Sequence, residues 1–348
     1  MDPLDFTGRA VVVTGGTRGI GAAIAAAFLA AGARVLVCGR TPPDPSAAAD
    51  ADARDSVRAD NFDREAVGDG GRVSDVDRAG ARDGGRVPDV DGAGARDGGR
   101  APDFFRSDVR DPAQAAALVE AAVARLGRID VLVNNAGGAP PAPAATASPR
   151  LHAKIIELNL LAPLHVSQAA NAVMQRQPGG GVILMIGSVS GTRPSPGTAA
   201  YGAAKAGLHH LATTLAAEWA PAVRVNSVIP GPVAEAEPDS RAVAGAGPDS
   251  RSAVGADSGP MAPAGPDSGA AAQIGPDAGV GLGLDPEAVT RTVPFGRPAT
   301  AAEVAGVCLL LASPLASYVS GAALAVHGGG EWPGYLADLR AAAYPAQK

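Results

Sequence analysis

Cysteine is scarce in this chain. Two occur in 348 residues, Cys38 and Cys308, each inside an apolar run. Two thiols make no disulfide framework and read as buried thiols of a reducing cytosol, and no Cys/His cluster has the spacing of a zinc site. Aromatic residues are only 3% of the chain. Long apolar runs are missing too: residues 304–312 and 182–186 fall short of the ~20 residues that cross a bilayer. The opening MDPLDFTGRAVVV has no basic region followed by a long apolar segment, unlike a secretory signal. Excess positive charge is absent, because the net charge is -6 and arginines recur beside aspartates, so a broad basic face for nucleic acid is not expected. These absences favour a cytoplasmic protein with neither nucleic acid nor membrane as partner. What is abundant is apolar residue, 46% of the chain, together with Gly and Ala, which suit closely packed helices around a sizeable core.

Strand and helix patterns alternate. Residues 10–13 form a β-branched run of the kind buried on both faces of a sheet. A glycine turn at 14–21 leads into an Ala-rich helix at 20–31, stopped by Gly32, and then into a second buried strand at 34–38. This βαβ opening predicts a parallel sheet. Further strands are expected at 103–107, 129–133, 181–186, 223–228 and 322–326. Helices are expected at 113–126 (Asp111 as N-cap, Gly127 as stop), 149–177 interrupted or bent near Pro163, 198–219 and 300–312. A short element is expected at 286–290.

Two segments break the pattern. Residues 44–102 are rich in Asp, Arg, Gly and Ala and repeat VSDVDRAGARDGGR as VPDVDGAGARDGGR, with a short helix expected at most at 46–58. Residues 234–283 repeat Pro-Asp-Ser. Each repeat has too few apolar anchors to bury a stacked core, so both are expected to be low-complexity surface insertions, the first disordered. The expected architecture is therefore one α/β, Rossmann-like, doubly wound domain over residues 1–348, with a seven-stranded parallel sheet, helices on both faces and two long insertions.

The turn TGGTRGIG at 14–21 sits between a strand and a helix. Gly15, Gly19 and Gly21 allow a sharp turn and close approach to a pyrophosphate, and the helix N-terminus beyond them favours anions. An acid at the end of the second strand would hold an NAD ribose, but that region reads Val-Cys-Gly-Arg40. Arg40, assisted by Arg18, suits the 2′-phosphate of NADP instead, so NADP(H) is expected in preference to NAD(H). The plain alternative for each arginine is a solvated surface side chain.

Tyr201 and Lys205 are spaced to share one helix face. A tyrosine titrates near 10, and a neighbouring ammonium plus an oxidised nicotinamide would stabilise its phenolate. A shift of about three units takes roughly 4 kcal/mol of differential stabilisation. Ser188 and the Asn-Asn-Ala-Gly at 134–137 each follow a buried strand, and ligands of open α/β sheets bind beyond the strands' carboxyl ends.

In this order, Thr14–Gly21, Asp108-Val109, Asn134–Gly137, Asn159, Ser188, Tyr201, Lys205 and Pro230-Gly231 resemble the short-chain dehydrogenase/reductase family, in its ordinary Tyr-x-x-x-Lys, 3-oxoacyl reductase-like form. The resemblance covers residues 4–43, 104–233 and 284–330. It implies Tyr201 as general acid/base, Lys205 lowering its pKa and holding the nicotinamide ribose, Ser188 orienting the substrate oxygen, and Asn159 supporting a water-linked proton path. It implies that Gly15, Thr17, Arg18, Gly19, Ile20, Gly21, Arg40, Asp108, Val109, Asn135, Ala136, Gly137, Pro230, Gly231 and Val233, with Tyr201 and Lys205, bind the cofactor; no metal site is expected. The plainer readings are a capping Ser188, a buried structural Asn159 and a helix-start Asp108.

The chain also departs from the family. Pro232-Val233-Ala234 stands where a Thr often follows Pro-Gly, the 234–283 insertion falls at the substrate loop, and His327 stands where Asp is common and reads as structural. The leading expectation is reversible reduction of a small-molecule ketone to a secondary alcohol by a homodimer or homotetramer. A non-catalytic NADP-binding regulator is the main alternative, and a lyase or epimerase using transient oxidation a third.

Overall fold

The computed structural model describes residues 2–42, 101–234 and 292–331. The expected insertions at 44–102 and 234–283 lie, but for their end residues, outside the described residues, as do the elements expected at 46–58 and 286–290.

The described strands are β1 (Ala10–Thr14), β2 (Arg34–Gly39), β3 (Asp103–Arg106), β4 (Val131–Asn134), β5 (Gly181–Ile186), β6 (Val223–Pro230) and β7 (Ala323–Val326). They form one sheet in the order β3-β2-β1-β4-β5-β6-β7, and every neighbouring pair is parallel. The described helices are α1 (Gly19–Ala30), α2 (Pro112–Leu126), α3 (Pro149–Ile156), α4 (Ala162–Met174), α5 (Ala199–Trp219) and α6 (Ala301–Ala312). Among the described residues no helix is long and apolar enough to cross a membrane.

Both faces of the sheet are covered. Val12, Leu36, Leu132 and Ile183 pack with α2, α4 and α5 in one core. Val11, Val37, Val133 and Leu184 pack with α1 and α6 in the other. Alternate residues of one strand thus feed opposite cores, which explains why the central strands read as unbroken apolar runs. β1 and β4 are buried at every position.

Local chemistry sets the helix ends. Asp111 caps α2 by accepting from the Ala113 N–H, and Gly127 ends it at φ +77°. Thr300 and Glu303 form a reciprocal capping box on α6. The interruption expected near Pro163 falls slightly earlier and does not come from the proline. A π-helical turn, Glu157–Leu161, separates α3 from α4, and Pro163 sits harmlessly in the first turn of α4. Asn159 Nδ2 donates to the Ile155 carbonyl four residues back, competing with the helix ladder there.

The start of the sheet is tied by Asp130, which is 5% exposed. Its carboxylate accepts from the Ala10 N–H and from Arg9 Nη1, both at 2.9 Å, and from Arg128 Nε. It therefore fixes β1 against β4 at the end opposite the crevice. Replacing Asp130 with Ala strands the Ala10 N–H and sets two arginines side by side. We expect a loss of about 2 kcal/mol in urea denaturation, reduced from the fully buried case because both arginines reach solvent.

Candidate active site

Sheet register brings the site residues into line. Thr14 of β1 pairs with Cys38 of β2 and Asn134 of β4, and Asn134 with Met185 of β5. The carboxyl ends of β1, β2, β4 and β5 therefore form one row. β1 is also where strand order reverses, so the crevice of a doubly wound sheet opens here.

The glycine turn is braced from β4. The backbone N–H groups of Asn135 and Ala136 both donate to Thr14 Oγ1 at 3.0 Å. Asn135 Nδ2 donates to the carbonyls of Thr14 at 3.1 Å and Gly15 at 3.0 Å. A Cβ on Gly15 would come within 2.9 Å of Ala136 Cα, and one on Gly21 would overlap the Gly15 carbonyl and Asn135 Nδ2. Gly19 has φ +54° with open space beyond it, and Arg18 stands in the N-cap position of α1. Thr17 packs over Gly39, whose Cβ would meet Thr17 Cγ2 at 3.2 Å, and Ile20 packs on the α1 side of the core.

From this turn a cleft runs past Gly15, Cys38, Gly39 and Arg40 to Ser107, Asp108, Val109, Arg110, Ala136 and Leu158. It brings together five residues expected to bind cofactor: Gly15, Arg40, Asp108, Val109 and Ala136. Bare backbone where a pyrophosphate approaches, a helix N-terminus and an arginine at the rim fit a dinucleotide.

Asp108 is not the start of a helix, since Asp111 takes that place. It is bound by Arg110, whose Nε donates to both carboxylate oxygens at 2.9 and 3.2 Å and whose Nη2 makes a further short contact. That hydrogen bonding, with Arg40 adding charge, holds the Asp108 carboxyl below its usual range. Arg110 was not anticipated, because no spacing rule links it to Asp108 before the loop is folded. Ser107, Cys38 and Leu158 likewise join the cleft only through the register.

The second cluster lies beyond β5. Tyr201 and Lys205 are 5% and 4% exposed on α5. Lys205 Nζ donates to the Ile186 carbonyl at 2.8 Å and stands 5.6 Å from the centre of the Tyr201 ring. Ser188 caps a 3₁₀ turn at Val189–Gly191 by accepting from the Ser190 N–H, and its side chain works against the effect of burial on the Tyr201 phenol. The capping role expected as a plain alternative is thus present.

Asn159 is fully buried. Its Oδ1 accepts from the Gly138 N–H at 2.8 Å and its Nδ2 donates to the Gly138 carbonyl at 2.9 Å. A Cβ on Gly137 would meet Asn159 Oδ1 at 2.8 Å and Lys205 Nζ at 3.2 Å, so the loop after β4 threads between them. Asn159 is in this sense structural, holding that loop against the lysine.

Burial raises the Tyr201 pKa, and Ser188 works in the opposite direction. Burial also pushes the Lys205 ammonium down to about 8, with its Nζ donating to the Ile186 carbonyl.

β6 ends at Pro230, and the N–H of Gly231 just beyond it donates to the Val326 carbonyl. Val233 forms a bridge with Ala299, so the chain beyond β6 is directed toward α6. His327 lies against Gly231.

The glycine turn, the Asn loop and the Tyr/Lys pair in this order on an all-parallel sheet agree with direct comparison. The family model for short chain dehydrogenase matches residues 9–67 and 92–242, and that for enoyl-(acyl carrier protein) reductase matches 284–331. The chain belongs to the short-chain dehydrogenase family. It is 30% identical over 233 residues to an uncharacterized oxidoreductase of Mycobacterium tuberculosis, covering 67% of this chain and 72% of that one. It is 34% identical over 121 residues to the 7alpha-hydroxysteroid dehydrogenase of Escherichia coli K12, covering 34% of this chain and 47% of that enzyme, about half its length. A solved structure assigned as a short-chain alcohol dehydrogenase of Sinorhizobium meliloti 1021 superposes with a TM-score of 0.63 at 25% identity, over 94% of this chain and 97% of that one. As a short-chain dehydrogenase, the protein is an oxidoreductase of hydroxyl and keto groups from a family that binds NAD(P).

The buried ammonium has a measurable cost in this short-chain dehydrogenase. The folded pKa of Lys205 lies below its unfolded value of 10.5, so between pH 8 and 10.5 the unfolded chain binds the extra proton and stability rises with pH. We expect Lys205→Met to melt at a higher temperature than wild type at pH 7, and the gap to narrow as pH rises from 8 to 10.5. Calorimetry across that range checks it.

Proposed function

We propose that the protein interconverts a small-molecule ketone and a secondary alcohol with NADP(H), with Tyr201 as general acid/base. The observation that carries this reading is the buried Tyr201 phenol with the buried Lys205 ammonium 5.6 Å from its ring centre, beside the Ser188 loop at the carboxyl edge of the sheet that also holds the glycine turn. The nicotinamide, when bound, supplies or accepts the hydride and in its oxidised form adds positive charge.

In reduction, Tyr201 Oη gives its proton to the carbonyl oxygen as that oxygen gains charge. Burial keeps the phenol protonated at neutral pH, which is the form a proton donor needs. Ser188 Oγ donates a hydrogen bond to the same oxygen and fixes its position. Lys205 stabilises the phenolate that remains, and its second contact, with the Ile186 carbonyl, holds the ammonium in place. In oxidation the same groups run in reverse, with Tyr201 accepting the hydroxyl proton.

At the other end of the crevice, Arg40 and Arg18 would hold the 2′-phosphate, Asp108 and Val109 the adenine, and Gly15, Gly19 and Gly21 would admit the pyrophosphate. Thr17, Ile20, Asn135, Ala136 and Gly137 would contribute between the two ends, and Pro230, Gly231 and Val233 at the nicotinamide side. Asn159 keeps the loop at Gly137–Gly138 in register with Lys205 and so supports the proton path. The assembly is read as a homodimer or homotetramer, which light scattering would test.

Fluorescence titration with NADPH and NADH tests the cofactor half without knowledge of the substrate. Tighter binding of NADPH, lost in Arg40→Ala while NADH binding stays unchanged, is expected; tighter binding of NADH would overturn the assignment of Arg40. Tyr201→Phe should lower kcat on any ketone the wild type reduces by roughly 10²–10⁴, the usual contribution of a general acid, and leave NADPH affinity within a few-fold. Near-normal turnover in that variant would remove Tyr201 from the acid/base role.

A further inference from the structure

One turn beyond Lys205, α5 carries His209. Its ring is wedged beneath the loop that bears Ser188. The Ser188 backbone N–H donates to His209 Nε2 at 3.4 Å, at the long end for such a bond. A Cβ on Gly187 would overlap Nε2 and come within 2.7 Å of Cδ2. A Cβ on Gly191 would meet Cε1 at 3.0 Å and the α5 backbone, Ala206 N, at 2.6 Å.

Neither glycine has a positive φ. Backbone conformation therefore does not require glycine at either position. Room for the imidazole does so at Gly187, and room for the imidazole together with the α5 backbone does so at Gly191. The residues on both sides of Ser188 are thus fitted to a ring whose acceptor nitrogen meets the Ser188 amide. Because Nε2 accepts, the ring proton belongs on Nδ1. Burial, and after it the charge of Lys205, pushes His209 down to about 4, so the ring remains a neutral acceptor at neutral pH.

We infer that His209 is a positioning residue: its ring sets the height of the Ser188 loop over α5 and so aligns Ser188 Oγ with the Tyr201 phenol. The inference rests on the roles read above for Ser188 and Tyr201. The effect passes through the backbone, because the Ser188 side chain already accepts from the Ser190 N–H and meets Tyr201.

The test uses the full-length, ¹⁵N-labelled protein and two variants. His209→Leu fills much of the space without an acceptor, and His209→Gln offers an amide oxygen near the place of Nε2. Amide exchange at Ser188 is expected to be roughly five- to tenfold faster in H209L, the scale of one hydrogen bond, and largely restored in H209Q. NADPH affinity should stay within twofold of wild type in both, while kcat on a ketone the wild type reduces falls in H209L and recovers in H209Q.

Exchange in H209L within twofold of wild type would overturn the inference. So would equally fast exchange in H209Q, since ring packing rather than the acceptor would then hold the loop. A long-range ¹⁵N–¹H spectrum of the wild type that places the ring proton on Nε2 overturns it even if H209L does not fold. If Ser188 exchange follows the expected pattern but Ser188→Ala keeps full turnover, the contact stands and the reaction role given to Ser188 fails.

Discussion

A lysine ammonium held out of water is the constraint around which the rest of the site is arranged. Lys205 cannot keep its charge cheaply at 4% exposure, and burial alone pulls its pKa toward neutrality. What steadies it is backbone: the Ile186 carbonyl from β5 bonds it directly, and the Gly137 segment, pinned by Asn159, passes close to it. Each of these depends on a different strand ending at the same level. The parallel register of β4 and β5 is therefore a condition for a buried cation as much as for a core.

The two ends of the crevice solve opposite electrostatic problems. Around Lys205 the protein places a positive charge among apolar and backbone groups, where it disfavours any further proton nearby, His209 included. Around Asp108 it places a carboxylate against Arg110 with Arg40 close by, so the negative charge there is fully developed and already oriented. Arg110 occupies Asp108 in the structure, so any partner of that carboxylate meets an ion pair with a set direction.

Much of this could be read before folding because the relevant signals are local. β5 was expected at its observed bounds, since an apolar run bounded by Gly181 and Gly187 leaves little freedom. Asp111, Gly127 and Thr300 carry their capping chemistry within a few residues. The interruption of the long helix was attributed to Pro163 because proline is visible in a sequence, whereas the Asn159–Gly138 pairing that accompanies the π turn joins distant residues. Arg110, Ser107, Cys38 and Leu158 were hidden members of the cleft for the same reason. His209 was within reach: it lies four residues past Lys205 on the same helix face, and that spacing alone marks it as a neighbour of the site. The direction of the Tyr201 shift was not legible, because it is set first by how deeply the folded chain buries the phenol.

The bracing of the glycine turn by Thr14 and Asn135 bears on how a ligand is met there. Four hydrogen bonds from the neighbouring loop and several contacts with no room for a methyl group leave Gly15 and Gly21 little to rearrange. A segment so fixed gives up little conformational entropy when a dinucleotide arrives, and binding approaches docking into a ready-made mould. The same rigidity narrows what evolution can alter: affinity can be tuned at the rim through side chains such as Arg40, while the turn itself accepts almost no change of residue.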